Sequence, residues 1–309
     1  MRYSHLFGPV TSRRLGISLG VDCIIAKTCN LDCIYCECGA TTNRTMERLP
    51  YVTAAAVARE LTDYLKSKPL LDYITFGGSG EPTLNSELGD MVRMVKRDFP
   101  EYKTALLTNG TLLYMPEVRE AIMPFDCVLP SLDAISERAF FAVNRPDPSL
   151  DVGRMLSGLE LFSHEYTGVL LVEVFIIPGV NDSADELRLF KQTLERVRPT
   201  RVQLNSLDRP GTEDDVQVAS WQQLRTIAAY LSPLPVEIIS RSASVAPMAA
   251  ETQTALLSTL QRRPLTIEEI AQAIGQTIND CAAVLKQLET EKKVVSSVVN
   301  NRTFYKGVA

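Results

Sequence analysis

The stretch GISLGVDCIIAKTCNLDCIYC, residues 16–36, joins a strand-like run to a compact group of cysteines. Its first ten residues are mostly apolar and rich in β-branched side chains, and six more runs of this kind occur along the chain. The later runs lie at 71–76, 103–108, 125–132, 168–177, 201–206 and 236–240. Nearly continuous apolar runs of this length indicate strands that are buried on both faces, as in a parallel sheet.

Amphipathic helical stretches separate these strand-like runs. They lie at about 53–68, 86–98, 115–122, 149–163, 183–198 and 214–231. Six βα units in succession predict an α/β fold built on a partial (β/α)6 TIM-like barrel. Right-handed crossovers would place functional loops at the carboxyl ends of the strands, which is where the polar loops of this sequence lie.

The pattern changes near the carboxyl terminus. SASVAPMAAE (242–251) is typical of a connector, and three short helical segments and a hairpin follow it. We expect Thr266 and Glu269 to form a capping box and Gly275 to end the second of these helices. We also expect Asn300-Asn301 to form the hairpin turn.

Three helices followed by a hairpin are typical of a winged helix. The sequence therefore predicts two domains, a barrel at 1–243 and a small winged-helix domain at 244–309. Residues 251–309 contain seven Lys or Arg and six Asp or Glu, which leaves a net charge of +1. Because a DNA reader carries a stronger basic surface, we favour docking of a protein or substrate by this domain over DNA binding.

Composition and charge exclude several classes of protein. The 309 residues contain 32 Lys or Arg and 37 Asp or Glu, and this net charge of −5 argues against whole-chain attraction to nucleic acid or anionic membranes. No apolar run is long enough to cross a bilayer, and the amino terminus lacks the apolar core of a secretory signal. We therefore expect a cytoplasmic protein without a membrane partner. With only His5 and His164, a histidine-rich metal site is nearly excluded.

Five of the seven cysteines lie within 16 residues. Cys29, Cys33 and Cys36 form a C-x3-C-x2-C array on a loop after a strand, and three such thiolates can bind three irons of a [4Fe–4S] cube. The fourth iron would then be open to a substrate or cofactor. Two alternatives remain, a zinc knuckle and a cluster with Cys38 as fourth ligand, whereas Cys23 is expected to be a core thiol.

The array, with the aromatic Tyr35 directly before its last cysteine, resembles the radical S-adenosylmethionine (SAM) superfamily over about residues 7–240. The resemblance implies that the open iron binds the amino and carboxylate groups of SAM. It also implies that the reduced cluster cleaves SAM to methionine and a 5′-deoxyadenosyl radical, which abstracts hydrogen from a substrate. The implied partners are a reductant protein of ferredoxin or flavodoxin type and a substrate that is a small molecule, a peptide or RNA.

The resemblance carries a SAM-binding site onto loops that follow the strands. Those positions are Tyr35, Gly77, Gly78, Ser79, Gly80, Glu81, Asn109, Ser131, Asp133 and Ile177. Glu81 would receive the SAM ammonium group, and Ile177 belongs to the segment that would receive adenine. Asp133 would contact ribose, although helix capping is an equal alternative. A plain glycine turn is the alternative for 75–84, and capping is favoured for Asn181-Asp182.

Polar residues in the later strands mark the substrate side of the predicted barrel. Glu173 lies in an apolar strand, so it needs a partner such as a ligand hydroxyl or an arginine. Gln203 and Asn205 alternate with apolar residues and share one face, which would be the barrel interior. Arg209 follows them, either as a binder of carboxylate or phosphate or as part of a solvated loop.

Positive charges lie close to the predicted cluster. Arg13, Arg14 and Lys27 would offset thiolate and SAM charge or contact an anionic substrate, and solvated cations are the alternative. Lys27 is also a candidate Schiff-base amine, and with Glu173, Gln203 and Asn205 it completes the predicted catalytic set.

The segment FGPVTSRRLGISLGVD (7–22) resembles the radical SAM proteins grouped with the wyosine tRNA-modifying enzymes. Those enzymes carry extra cysteines for a second cluster, and a third extra cysteine is missing here. On the basis of this resemblance, wyosine-type tRNA modification is one alternative function. A redox- or SAM-responsive winged-helix regulator is the other.

Overall fold

The computed structural model describes residues 3–12, 14–209, 211–239, 253–274 and 278–308. Strands and helices alternate up to residue 238. The strands are β1 (Leu6–Ser12), β2 (Gly16–Val21), β3 (Thr28–Cys29), β4 (Asn43–Arg44), β5 (Tyr73–Phe76), β6 (Lys103–Thr108), β7 (Cys127–Pro130), β8 (Val169–Phe175), β9 (Arg201–Asn205) and β10 (Val236–Ile238). The helices are α1 (Ala54–Leu65), α2 (Leu88–Asp98), α3 (Pro116–Ile122), α4 (Glu137–Asn144), α5 (Val152–Glu165), α6 (Ala184–Val197) and α7 (Trp221–Leu231).

The large sheet has eight strands in the order β1-β2-β5-β6-β7-β8-β9-β10. In this sheet, β2 and β5 to β10 are parallel, and each of these strands pairs with the next one in that order. Within the same sheet, β1 is antiparallel to β2. The expected α/β fold with a parallel sheet is therefore confirmed. β3 and β4 form a separate two-stranded ribbon that carries the first cysteine of the array.

The structure differs from the predicted elements in several places, two of which have a clear local cause. β2 ends at Val21 and not at 25, because Asp22 leaves the strand to bond the loop after β5. α7 begins at 221 and not at 214, because Ser220 forms a capping box with Gln223. The strand β1 and the helix α4 have no counterpart in the prediction.

The inner face of the sheet changes from apolar to polar along the strands. Near the strand starts, Leu15, Ala105, Cys127 and Leu129 form a buried cluster. Register pairs Glu173 of β8 with Gln203 of β9 and Phe175 with Asn205, so the two β9 amides share the face of Glu173. The predicted common face of these residues is confirmed.

The carboxyl-terminal residues form a second unit with its own core. It comprises α8 (Gln253–Arg262), β11 (Leu265–Thr266), α9 (Ile267–Ile274), α10 (Ile278–Thr290), β12 (Val294–Val299) and β13 (Arg302–Gly307), with sheet order β11-β13-β12. Cys281 lies in the core, as expected.

The local predictions for this unit are mostly confirmed. Thr266 and Glu269 bond each other's backbone amides, which is the predicted capping box. Asn300 and Asn301 both have left-handed backbone conformations at the hairpin turn. Gly275 and the connector 242–251 lie outside the described residues, as does the predicted domain boundary at 243.

The second unit packs against the amino-terminal strand of the large sheet, where α8 and α9 contact β1. Arg262 of α8 extends from this contact to Asp22, with 3.2 Å between Nε and Oδ2. Among the described residues, no helix is both long and apolar enough to span a bilayer.

Gly158 in α5 tests how closely the helices pack on their neighbours. A Cβ at this position would lie 2.2 Å from the Tyr114 backbone nitrogen. This clash could be relieved only by a shift of the backbone of α5 or of the segment at Tyr114. We expect Gly158→Ala to lower the free energy of unfolding by about 2 kcal/mol or more. Gly153→Ala in the same helix, where the nearest atom is the Asp151 carboxylate at 3.2 Å, is the control. Chemical denaturation measures both, and equal effects would contradict the prediction.

Candidate functional site

The cysteine loop is anchored on a helix that the sequence did not reveal. The amide of Asp32 donates to the Asn144 carbonyl at 2.9 Å, and the amide of Ile34 donates to the Val143 carbonyl at 3.0 Å. Both carbonyls belong to the last turn of α4, whose final carbonyls have no partner within the helix. The loop therefore takes its position from α4.

Amide groups surround the first two sulfur atoms of the array. Cys29 Sγ accepts from the Leu31 amide at 3.4 Å and faces Asn109 Nδ2 at 3.7 Å, and Cys33 Sγ accepts from Asn144 Nδ2 at 3.3 Å. Burial raises the pKa of the Cys29 thiol to about 12 and that of Cys33 well above its usual range. Binding iron as thiolates would therefore release protons.

The cysteines of the array are free thiols that border one cavity of about 270 Å³. A single water needs only about 10–15 Å³ in the same measure, so the space accepts a much larger group. Its lining includes Cys29, Cys33, Cys36, Lys27, Gly78, Ser79, Gly80, Glu81, Asn109, Ser131 and Glu173. These are eleven of the seventeen predicted site residues.

The remaining predicted site residues lie outside this cavity. They are Tyr35, Gly77, Asp133, Ile177, Gln203 and Asn205. Tyr35 and Asp133 border a smaller adjoining cavity that also contacts Ser131. Within the described ranges, no group of three or more His, Cys, Asp or Glu could hold a metal ion by itself. Three thiols on one cavity instead suit a cube, in which each cysteine binds a separate iron.

Cys38 borders the same cavity, hydrogen-bonds to the Cys36 sulfur and also bonds to two backbone carbonyls. Its Sγ donates to the Gly78 carbonyl at 3.4 Å and to the Arg262 carbonyl at 3.2 Å. The thiol therefore links the cysteine loop, the glycine-rich loop and α8. Cys23 is buried in the main core, as expected.

The glycine-rich loop after β5 packs tightly on the protein itself. A Cβ on Gly80 would lie 2.1 Å from the Thr28 carbonyl, and one on Gly78 would lie 2.8 Å from the Asp22 carboxyl. Ser79 donates through Oγ to Asp22 Oδ2 at 2.6 Å. The glycines therefore allow close approach to the cysteine loop and to Asp22 after β2, and the choice between a SAM-binding loop and a plain glycine turn stays a prediction.

Glu81 is a buried carboxylate with four hydrogen bonds. Oε1 accepts from the Thr83 amide at 2.9 Å, the Thr83 hydroxyl at 2.5 Å and the Thr108 hydroxyl at 2.6 Å, and Oε2 accepts from the Asn109 amide at 2.7 Å. Burial raises the pKa of Glu81 while these donors lower it. Because Oε2 accepts only once, it keeps capacity for a further donor from the cavity.

Asp133 forms a buried polar network and caps no helix. Its Oδ2 accepts from the Tyr35 hydroxyl and from Asn144 Nδ2, and Oδ1 accepts from the Phe175 amide. Ser136 is the amino-terminal cap of α4, so capping by Asp133 is wrong. The Tyr35 ring stacks on Phe175 with centroids 3.9 Å apart, which places it beside the cysteine loop.

The loop after β8 is held by Asn181. Its Oδ1 accepts from the Ile177 amide at 2.8 Å, and its Nδ2 donates to the carbonyls of Asp133 and Phe175. The predicted capping role of Asn181-Asp182 is wrong, because Ser183 caps α6. Ile177 is fully buried, and its amide is already bonded.

Glu173 has the arginine partner that its place in an apolar strand requires. Arg14 forms a bidentate ion pair with it, at 2.9 Å from Nη1 to Oε2 and 2.5 Å from Nη2 to Oε1. Asn205 Nδ2 adds a hydrogen bond to Oε1 at 2.9 Å. Gln203 instead faces Glu237 on β10, and its Oε1 is buried without a partner in the described part of the chain.

The other predicted cations have different surroundings. Lys27 Nζ is shielded from solvent, borders the cavity and lacks a hydrogen-bond partner among the described residues. Burial lowers its pKa. Arg209 is buried; it bonds the Pro264 carbonyl and pairs with Glu269, so the interpretation as a solvated loop is wrong. Arg13 lies outside the described residues.

Comparison with known proteins agrees with this geometry. A family model described as the radical SAM superfamily matches residues 23–190. A UPF0026 protein of Helicobacter pylori strain J99 is 35% identical over 97% of this chain and 96% of its own length. A protein named GTPase Obg from Brachyspira hyodysenteriae is 31% identical over 99% of this chain, which spans 45% of that relative.

Two solved structures share the fold at low sequence identity. A radical SAM methyltransferase from Sphaerobacter thermophilus has a TM-score of 0.55 and 20% identity, covering 72% of this chain and 65% of its own. Streptococcus suis SuiB bound to S-adenosylmethionine has a TM-score of 0.53 and 13% identity, covering 71% of this chain and 49% of its own.

The chain belongs to the radical SAM superfamily and, at the level of full-length relatives, to the UPF0026 proteins. It is therefore an enzyme, with a [4Fe–4S] cluster and SAM as cofactors. The donor set fits the cluster, because three free thiols with amide donors to two sulfurs border one cavity.

Asp133 provides a test of the buried network through pH. Burial raises the pKa of this carboxyl to about 6, so the folded state binds more protons than the unfolded state between pH 4 and pH 6. Stability should therefore fall as pH rises through this range. We expect wild type to lose about 2 kcal/mol more than Asp133→Asn between pH 4 and pH 7. Urea unfolding of the metal-free proteins measures this, and parallel pH profiles would contradict it.

Proposed function

We propose that Cys29, Cys33 and Cys36 hold the cluster of this radical SAM enzyme and that SAM and substrate occupy the adjoining cavity. The observation that carries the proposal is the common cavity, which brings together the three thiols, the glycine-rich loop and Glu173. When bound, the cluster supplies the electron that cleaves SAM to methionine and a 5′-deoxyadenosyl radical, which abstracts hydrogen from the substrate. The chain's own residues orient the reactants and exclude water.

The SAM side of the cavity is the loop from Gly78 to Glu81 together with Asn109. Glu81 keeps an oxygen with free acceptor capacity, which suits an ammonium group. The tight packing of the loop on Asp22 and Thr28 holds this carboxylate in place before SAM arrives. Ser131 borders both cavities and suits contact with ribose, whereas Tyr35 and Asp133 support this contact from behind.

The substrate side of the cavity lies beyond Asn109, toward β7 and β8. Leu107 and Leu129 give it an apolar wall, and the Arg14–Glu173 pair gives it a charged floor. Arg14 uses two of its five N–H donors on Glu173, which leaves donors for a substrate oxygen. Asn205 and Gln203 act from behind as positioning residues, the former directly on Glu173.

The architecture supports a two-domain interpretation. We propose that the consecutive parallel strands form a partial (β/α)6 barrel within residues 1–243, and that residues 244–309 form a winged helix. Sequential strand order without β1–β10 pairing in the described residues, and the three-stranded carboxyl-terminal sheet, support this. A reductant protein and a cytoplasmic location remain predictions from the superfamily and the composition. No finding favours wyosine-type tRNA modification or a DNA-binding regulator, which stay predictions.

The cysteine array is tested by single substitutions. Cys29→Ala, Cys33→Ala and Cys36→Ala should each lose the iron–sulfur absorption band and the release of 5′-deoxyadenosine with dithionite and SAM, because each removes one iron ligand. Cys38→Ala should keep both and tests the four-cysteine alternative, because its sulfur borders the same cavity and bonds to Cys36 as well as to two backbone carbonyls. Iron analysis and product assay of anaerobically purified protein measure both effects.

Two outcomes would contradict this assignment. Full cluster content and SAM cleavage in any of the three alanine variants would remove that cysteine from the cluster. Loss of the cluster in Cys38→Ala, with the protein still folded, would favour the four-cysteine alternative.

Glu81 is tested as the SAM-binding carboxylate. Glu81→Gln should weaken SAM binding about tenfold, the loss of one charge-assisted contact, while iron content stays unchanged. Glu87→Gln is the control, because that carboxylate lies on the same segment and bonds the Ala54 amide outside the cavity. Equilibrium binding of SAM to the cluster-loaded protein measures the change. Equal affinity in both variants would exclude the proposed role.

A further inference from the structure

Two lysines from distant parts of the chain converge beside Gly39 at the edge of the cavity. A Cβ built on Gly39 would lie 3.1 Å from Lys27 Nζ and 3.4 Å from Lys306 Nζ. Lys27 precedes the cysteine loop, and Lys306 lies in β13 of the carboxyl-terminal unit. Gly39 has a φ of 87°, in the left-handed region that favours glycine. Because glycine has no side chain, a small space remains beside the two amines.

Neither amine has a carboxylate in direct contact in the described part of the chain. Lys27 Nζ is shielded from solvent and has no hydrogen-bond partner there. Lys306 has neither a salt bridge nor a side-chain hydrogen bond within the same ranges. The Cys38 and Cys36 sulfurs and the Asp32 carboxylate attract Lys27 through space, but Asp32 Oδ1 already accepts the Thr41 amide at 2.7 Å.

Two neighbouring cations, one shielded from solvent (Lys27 Nζ) and one half-buried (Lys306), are costly without a counterion. Like charges repel more strongly where water is excluded, and a buried ammonium without hydrogen bonds loses its hydration energy. Two carboxylates of the same region do not remove this cost, because each of them is already paired with an arginine. Arg262 pairs with Asp22 and Arg14 pairs with Glu173. The arrangement therefore fits an anion that arrives from outside the chain.

We propose that Lys27 and Lys306 form an oxyanion-binding site for a phosphate or carboxylate group of the substrate, completed by the carboxyl-terminal unit. The proposal rests on the proposed function, because the ligand is the substrate of that cavity. Lysines bind such groups as point charges, and two of them from separate units make binding depend on the docking of those units. The site would hold the anionic end of the substrate beside Gly39 while the rest extends into the cavity.

The experiment measures protection of the Lys306 amine and anion binding by lysine variants in the anaerobic, cluster-loaded protein. An amine-acylating reagent labels lysines with and without inorganic pyrophosphate, malonate or SAM at constant ionic strength, and mass spectrometry follows Lys306, because Lys27 Nζ is shielded from solvent. Lys306→Met should weaken pyrophosphate or malonate binding about tenfold, as expected for the loss of one charge-assisted contact. Lys286→Met, on the exposed side of α10, is the control and should leave binding unchanged.

Each result decides between the proposal and its alternatives. Protection of Lys306 by pyrophosphate supports a phosphate group, and stronger protection by malonate supports a carboxylate. Protection by SAM alone would assign the amines to the cofactor, and unchanged anion binding in Lys306→Met would show that no shared site exists. Either result overturns the proposal.

A parallel variant separates this inference from the proposed function. Lys27→Met is assayed for iron content first, and a variant that loses its cluster is replaced by Lys306→Met as the deciding measurement. If protection of Lys306 persists while 5′-deoxyadenosine is never released, the proposed function fails and the anion site remains. If SAM is cleaved but neither anion protects, the inference fails alone.

Discussion

The site depends on buried carboxylates that lie where parallel strands end and must be satisfied there. Asp22, Glu81 and Asp133 follow β2, β5 and β7, Glu173 lies in the second half of β8, and all four carry hydrogen bonds or ion pairs. A carboxylate removed from water costs several kcal/mol unless donors replace its hydration. The loops adopt conformations that supply these donors, and this requirement positions the glycine-rich loop, Tyr35 and Arg14 around one cavity.

The carboxyl-terminal unit is part of this arrangement. Arg262 reaches Asp22, the Arg262 carbonyl accepts from Cys38, and Glu269 pairs with the buried Arg209. Arg302 adds a contact to Asp208, with 3.7 Å between Nη1 and Oδ1. Most of these groups lie at the carboxyl ends of the strands, so the unit packs at the same edge of the sheet as the cavity. A docking role agrees with its near-neutral charge better than a free DNA-binding role does.

The comparisons place the chain in a superfamily, and its substrate has to be inferred from the chemistry of the site. Relatives of full length share about a third of the sequence and carry a family name without an activity. The solved structures share the fold at identities too low to transfer a substrate. The proposed substrate site therefore rests on three features of this chain: the apolar wall, the Arg14–Glu173 floor and the two lysines beside Gly39.

The sequence by itself determined the elements and the array. Strand periodicity is local, so six βα units and their parallel sheet were predictable, and the C-x3-C-x2-C spacing was enough to indicate a cube. It also predicted that Glu173 needs a partner, because burial cost follows from the apolar strand alone. β1 and α4 were missed, since short segments with mixed polarity carry no clear period.

Only the tertiary structure decided which side chains meet. Arg14 and Glu173 are 159 residues apart, and Lys27 and Lys306 belong to different units, so their contacts depend on sheet register and on docking. The same cause explains the predictions that were wrong: Asp133 bonds Tyr35 and Asn144 in place of capping a helix, and Arg209 is buried against Glu269. Local sequence states what a residue can bond, whereas its partner depends on where distant segments pack.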